Sequence, residues 1–157
     1  MRGDLMTPPA RPYSVPDKIE PNLIRVLAYW ESLKRSRNDM PFWDDVNLSM
    51  LPDLSDKLML IDVFEEPLRL RFNIVGRELT DRYGGDVHSQ FADKIEIRTP
   101  FQYLLSQGSA AIEGRAPTYY QHVSEKTAAP HESGTYSRIL LPMWGDGHIG
   151  MLLGAAV

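Results

Sequence analysis

Residues 58–85 decide the fold, and they read LMLIDVF-EEP-LRLRFNIV-GRELTDRYGG. The first segment, residues 58–64, is apolar except for Asp62, which is typical of a central strand covered on both faces. Its many branched side chains favour a strand over a helix, and the Glu-Glu-Pro sequence at residues 65–67 predicts a turn at its end.

The second segment of this stretch shows the alternation of a strand with one buried face. Polar residues separate four apolar ones, which are Leu68, Leu70, Phe72 and Ile74. Residues 77–83 are compatible with a short helix, and Gly84 and Gly85 supply a left-handed stop for it. The stretch therefore predicts a β-hairpin that leads directly into a small helix.

Length and composition indicate one globular domain. A chain of 157 residues with 43% hydrophobic and 24% charged residues can bury an ordinary core. It contains no cysteine, so disulfides, zinc–cysteine sites and thiol catalysis are excluded. There are no internal repeats that would indicate a solenoid.

Charge and hydropathy restrict the partners and the compartment. The net charge of −4 argues against non-specific nucleic-acid binding, which depends on basic surfaces. No stretch approaches the ~20 apolar residues of a membrane span. Residues 1–17 are proline-rich and lack the apolar core of a signal peptide. We therefore expect a cytoplasmic protein with neither a membrane nor a nucleic acid as its partner.

The N-terminal third is expected to be a flexible segment followed by helices. Residues 1–19 carry four prolines and are expected to be extended or disordered. A helix over residues 22–37 is predicted, with Asn22 as its cap and an apolar stripe of Leu23, Val26, Leu27, Trp30 and Leu33. A shorter, irregular helix is predicted over residues 47–54.

The second half predicts one further helix and three strands. The helix covers residues 99–113, with Thr99 as its cap and Gly114 as its end. The predicted strands are residues 117–123, 136–144 and 149–157, with a tight turn at residues 145–147 between the last two. The expected fold class is α+β, a five-stranded antiparallel sheet with helices on one face and an N-terminal helix. Residues 20–157 would form this single domain.

Short segments along nearly the whole chain carry a resemblance through their order and spacing. They are LAYWESL at 27–33, LP at 51–52, LRFNIVG at 70–76, LTDRYGG at 79–85, ILLP at 139–142, DG at 146–147 and IGMLLG at 149–154. With this order the chain resembles a PAS domain and, more narrowly, the compact PAS-like PAS_5 family of alphaproteobacteria. The resemblance implies a five-stranded PAS sheet and a sensory or protein-interaction role without catalysis. It carries over no cofactor, and the cofactor stays unknown.

A curved sheet of this kind leaves a space between its concave face and the helices, where a small ligand would fit. The alternation predicts that six side chains line such a cavity: Phe72, Ile74, Leu104, Tyr119, His122 and Leu140. His122 would be the residue for a heme or another ligand. The alternative is an ordinary packed core with a hydrogen-bonded histidine, and the residues leave both possibilities open.

No catalytic or metal motif emerges from the remaining polar residues. The four histidines lack the i, i+4 spacing that places two metal ligands on one helix face. Asp86, His88 and Ser89 include the side chains of a hydrolytic triad, but neighbours on an extended chain point in alternate directions. The Lys-Arg-Ser-Arg run at residues 34–37 is more typical of a solvated helix end than of a binding site.

The leading hypothesis is a non-catalytic PAS-like sensory, signalling or protein-interaction module. Its signal would pass to another protein, or to a second copy of the chain, through the N-terminal helix, which carries Tyr29 and Trp30 on adjacent faces. The alternative is a small-molecule enzyme or ligand carrier that uses the same cavity. Enzymatic function would require an acid–base pair there, such as His122 with Asp62 or Glu113.

Overall fold

The computed structural model describes residues 11–123 and 134–157. Most of the segment expected to be flexible, residues 1–10, lies outside the described residues, as does His131. The described helices are α1 Pro21–Ser32, α2 Arg77–Tyr83 and α3 Leu104–Gly114. The strands are β1 Leu58–Phe64, β2 Arg69–Val75, β3 Thr118–His122, β4 Tyr136–Gly145 and β5 His148–Ala156. Short 3₁₀ turns occupy Trp43–Asp45, Leu48–Met50, Pro52–Lys57 and Ala92–Lys94.

The five strands form one sheet in the order β2-β1-β5-β4-β3, and every neighbouring pair is antiparallel. This confirms the α+β class and the five-stranded antiparallel sheet. The β4–β5 hairpin turns at Asp146 and Gly147, which both have left-handed backbone angles, φ 48° and 84°. Two such residues give the hairpin turn whose twist matches the flanking strands.

Helices cover both faces of the sheet. On the inner face, Arg138 of β4 donates to Gln107 of α3. The next residue along β4, Ser137, points the opposite way and donates to Glu20 at the start of α1. The α3 helix therefore packs on one face, as expected of the helices within the domain, and α1, expected as a separate N-terminal helix, lies on the other. Leu23, Val26 and Trp30 are buried, so α1 forms the second layer over the outer face.

A β-bulge in the first hairpin changes the direction of one predicted core residue. Ile61 pairs with Phe72, but the preceding Leu60 pairs with Ile74, so Asn73 is an extra residue in β2. Beyond the bulge the alternation is shifted, and Ile74 is 45% exposed. The inward position expected for Ile74 is therefore wrong.

The helices in the first part of the chain are shorter than expected. The α1 helix ends at Ser32 rather than at residue 37. Beyond it, the guanidinium of Arg35 makes two hydrogen bonds to Asp45, of 2.8 and 2.6 Å, and lies over the ring of Phe42. These contacts favour a loop there. Residues 47–54 form 3₁₀ turns instead of one helix. The Asn47 side chain caps the start of the first turn by accepting from the amide of Ser49, and Pro52, which has no amide to donate, begins the next turn.

The start of α3 also differs from the prediction. Thr99 does not cap the helix, which begins five residues later, after Tyr103 with φ 59°. The carbonyls of Pro100 and Gln102 point away from any helical partner and accept hydrogen bonds from Arg138. A residue of β4 therefore determines where α3 begins.

Candidate functional site

The most unusual group of the inner layer is the fully buried guanidinium of Arg138. Its Nε donates to Gln107 Oε1 at 2.8 Å. Its Nη1 donates to the Pro100 carbonyl at 2.8 Å, and its Nη2 donates to the Gln102 carbonyl at 2.9 Å. All three acceptors are neutral oxygens, so the positive charge is held by dipoles and not by a carboxylate.

Aromatic rings complete the surroundings of this charge. The guanidinium carbon lies 5.1 Å from the ring centre of Tyr120 and 5.8 Å from that of Tyr136, within the range of cation–π attraction. His122 stacks on Tyr136 with 5.1 Å between ring centres, and its Nδ1 lies 2.8 Å from the Tyr120 hydroxyl. We call these four residues, Arg138, Tyr120, Tyr136 and His122, the arginine–tyrosine cluster.

Burial shifts two groups of this cluster strongly. It lowers the pKa of Arg138 to about 10, although the neighbouring tyrosines act in the opposite direction. It raises the pKa of Tyr136 to about 12, against the effect of the nearby guanidinium. At neutral pH the arginine is therefore charged and the phenol is neutral. Neither of these two groups is therefore poised to exchange a proton near pH 7.

Sequence reasoning missed Arg138, although a signal for it was present. In the fourth strand, alternation puts residue 138 on the same face as Tyr136 and Leu140. An arginine between two inward positions of an apolar strand has to find acceptors inside the protein.

Three of the six predicted lining residues lie buried in the inner layer. Phe72, Leu104 and Leu140 are all at most 3% exposed. The ring of Phe72 packs on Phe101 at 4.9 Å between centres. Nearby, a Cβ added to Gly108 of α3 would lie 2.7 Å from Cδ1 of Leu70, so the helix and the sheet are in close contact. This part of the interior is a tightly packed core.

The other three predicted lining residues lie apart from this packed core. Ile74 faces outward beyond the bulge. Tyr119 lies on the outer face, where its hydroxyl contacts Glu20 Oε1 at 3.0 Å and Ser137 Oγ at 3.1 Å, and burial raises its pKa. His122 is half-buried at the margin of the inner layer, in the arginine–tyrosine cluster.

The cavities on the surface of the described residues include the following three. The first, of about 620 Å³, lies between residues 11–15, α1, the end of α3 and the start of β3. The second, of about 420 Å³, is mostly apolar and lies between residues 92–97 and the start of α3, with Leu104 in its wall. The third, of about 330 Å³, lies on the outer face beside Asp62 and Arg71. Of the six predicted lining residues, only Leu104 is among the described residues that line these cavities.

The acid–base pairs considered for an enzyme do not converge. Asp62 points to the outer face, where Arg71 and Asn73 bind its carboxylate, whereas His122 points to the inner face. Glu113 lines the first cavity, and His122 is not among the described residues of that lining. Both proposed acids, Asp62 and Glu113, thus lie apart from His122. The same holds for two of the six predicted lining residues, Ile74 and Tyr119.

The Asp86–His88–Ser89 set is not arranged as a triad. Ser89 Oγ lies 3.2 Å from His88 Nδ1, but Asp86 accepts a hydrogen bond from the backbone amide of His88 instead of from its ring. Within residues 11–123 and 134–157, no three His, Cys, Asp or Glu side chains are grouped so that they could hold a metal ion.

Two comparisons complete this description. Over the same described residues, no helix has both the length and the apolar character needed to cross a membrane. No protein-family model matches the chain, and a search of the curated proteins finds no match to it.

Proposed function

We propose that this chain is a non-catalytic, PAS-like sensory or protein-interaction module that acts in the cytoplasm. The observation that carries the proposal is the topology, in which two hairpin strands precede a helical insertion and three further antiparallel strands complete the order β2-β1-β5-β4-β3. A fold alone does not fix an activity, so the site has to support the same conclusion.

The interior supports an interaction role over catalysis. Phe72 and Leu140 are buried, and α3 touches the sheet at Gly108, which leaves little room for a substrate in that part of the core. The histidine and the two acids considered for proton transfer lie apart. A module of this kind passes its signal through its surface.

The N-terminal helix remains the proposed contact element, with a different set of residues. Trp30 is not available, because it is 1% exposed and its indole N–H donates to the Pro142 carbonyl at 3.0 Å. Tyr29 bonds to the backbone of Asn47. The outward face of α1 instead presents Ile24, which is 51% exposed.

Native mass spectrometry of the freshly purified full chain tests this proposal, because it reports subunit number and bound molecules together. We expect either a second copy or a partner protein in the complex, and the substitution Ile24→Asp should weaken that complex at least about tenfold. Arg77→Asp, on the exposed side of α2, is the control and should leave the complex unchanged. A chain that stays alone in extracts and at high concentration would contradict the interaction role.

A small apolar ligand is the second candidate, and the second cavity favours it. Its volume of about 420 Å³ lies in the range of small-molecule sites, and its wall includes Phe101, Leu104 and Leu105. We expect Leu105→Glu to abolish any co-purified mass seen with the wild-type chain. Absorbance of heme or flavin in the purified protein would indicate a carrier instead, whereas retention of the bound mass by this variant would exclude the second cavity.

A further inference from the structure

Residues 11–15, which we call the strap, cross the open side of the edge strand β3. The strap contributes one hydrogen bond to that strand, from the Tyr119 amide to the Tyr13 carbonyl at 2.7 Å. The Tyr13 hydroxyl donates to Ser106 Oγ at 2.8 Å, and its ring meets Tyr120 edge-on at 6.1 Å. Arg11 reaches the Gly114 carbonyl at the end of α3, at 3.5 Å.

The strap is held weakly by these contacts. Tyr13 has φ 60°, a conformation that costs a non-glycine residue of order 1 kcal/mol. Arg11, Pro12 and Ser14 are exposed, and the prolines on either side of Tyr13 have no amide with which to extend the pairing. The first cavity, of about 620 Å³, remains open beside the strap. An extended segment with better contacts would therefore find space here and, on displacing Tyr13, the amide of Tyr119.

The charges of this groove identify the kind of segment that it suits. Its far wall is the C-terminal end of α3, where backbone carbonyls carry partial negative charge. Glu31 and Glu113 line the same cavity. Glu31 forms an ion pair with Lys34 at 2.9 Å, whereas Glu113 has no hydrogen bond or ion pair among the described residues. The strap places its own cation against this wall, since Arg11 Nη1 lies 3.5 Å from the Gly114 carbonyl. The electrostatic complement of the groove is a positively charged side chain.

We propose that this groove is the docking site for an extended basic–aromatic peptide of a partner protein, and that the strap occupies it in the same chain as a built-in competitor. The inference rests on the proposed interaction function and names one surface for it. The peptide would add beside β3 by accepting from the Tyr119 amide. Its aromatic residue would take the place of Tyr13 against Tyr120, and its cation would lie between Glu113 and the Gly114 carbonyl.

The probe for this site is a labelled peptide with the sequence of residues 11–18, Arg-Pro-Tyr-Ser-Val-Pro-Asp-Lys. Its binding is measured by fluorescence anisotropy on the full chain and on the full-chain double variant Arg11→Glu/Tyr13→Ala. Because a tethered strap competes at a high effective concentration, the double variant should bind the peptide at least about tenfold more tightly than the wild type.

Three controls separate this mechanism from unspecific binding. In the double-variant background, Glu113→Lys should weaken the peptide at least about fivefold. Glu65→Lys, in the exposed turn of the first hairpin, makes the same charge change away from the groove and should have no effect. A peptide with glutamate at the position of Arg11 should bind weakly to every variant. Thermal unfolding of each variant verifies that it is folded.

Equal affinity of the wild type and the double variant would overturn the competitor role of the strap. The groove would be overturned as the site if the peptide of residues 11–18 and its version with glutamate at the position of Arg11 bound equally well. An effect of Glu65→Lys as large as that of Glu113→Lys would overturn it too. If a complex sensitive to Ile24→Asp persists in either case, the proposed function stands and only this surface is wrong.

Discussion

At the scale of single residues, Arg138 links three segments that are distant in the sequence. Its guanidinium joins β4 to the carbonyls of Pro100 and Gln102 and to Gln107 of α3. A buried charge without a carboxylate partner is stable only while its neutral acceptors keep their geometry. The same residue therefore fixes the start of α3 and the packing of this helix on the sheet.

Replacing Arg138 with methionine should lower the free energy of unfolding by about 2–4 kcal/mol. The substitution removes the cost of burying a charge but leaves the oxygens of Pro100, Gln102 and Gln107 without a donor. Urea unfolding at pH 7 measures the change. Arg77→Met on the exposed side of α2 is the control, with an expected change within about 0.5 kcal/mol. An unchanged or raised stability of Arg138→Met would mean that desolvation outweighs the lost hydrogen bonds.

The raised pKa of the Tyr136 phenol leads to a prediction about the stability of the fold at alkaline pH. An exposed tyrosine has a pKa near 10, whereas burial raises the pKa of Tyr136 to about 12. Between these values the unfolded chain loses a proton that the folded chain keeps, so stability falls as the pH rises through this window. Urea titrations at pH 9, 10 and 11 should show a steeper loss for the wild type than for Tyr136→Phe, by about 1–2 kcal/mol in total. Parallel losses would contradict the shift.

At the scale of elements, local patterns were sufficient for the strands and insufficient for the segments between them. The β1 strand and α2 lie where the sequence predicts them, because branched residues, alternation and Gly84 act within a few positions. Residues 99–103 were predicted to be helical, which is wrong because the carbonyls of Pro100 and Gln102 accept hydrogen bonds from Arg138, more than thirty positions away. Ile74 was misplaced because a bulge leaves no mark in the alternation of β2.

The close contact between α3 and the sheet depends on Gly108. In Gly108→Ala the added methyl would lie 2.7 Å from Cδ1 of the buried Leu70, so we expect a loss of about 1–2 kcal/mol despite the better helix propensity of alanine. Gly114→Ala in the same helix is the matched control. Its nearest neighbour is Arg11 Nη1 at 3.7 Å, so stability should be unchanged or higher. Thermal unfolding of both variants measures the difference. Equal unfolding midpoints would show that Leu70 can move to make room for the added methyl.

At the scale of the whole molecule, α1 is an integral layer of the domain. The sequence predicted its apolar stripe, but an outward role for Trp30 was wrong because the sheet has a second apolar face to cover. Periodicity shows which residues of a helix share a side, and it does not show what lies against that side. The candidate site shows the same limit: Phe72, Leu104 and Leu140 are buried, and the alternation of the sequence did not show that α3 would approach Leu70 as closely as it does at Gly108.

Two truncations test this view of α1. A chain that lacks residues 1–10 should keep the cooperative unfolding transition of the full chain. A chain that lacks residues 1–38 loses Leu23, Val26 and Trp30, exposes the outer face of the sheet, and should be insoluble or unfold without a cooperative transition. Near-ultraviolet circular dichroism and urea titration compare the tertiary packing and the unfolding transition of the two truncated chains. Two chains with the same transition would show that the helix is dispensable for folding.

Turning Ile74 outward places a branched apolar side chain on the edge strand β2, two residues beyond Phe72, whose backbone groups bond to Ser89 and Gln90 and so cover that part of the edge. The bulge that exposes it also kinks the strand, and the guanidinium heads of Arg69 and Arg71 on the same strand are ion-paired with Asp93 and Asp62. Crowded solutions should therefore stay clear at low ionic strength, where the net charge of −4 keeps copies of the chain apart, and turn cloudy when added salt screens that charge.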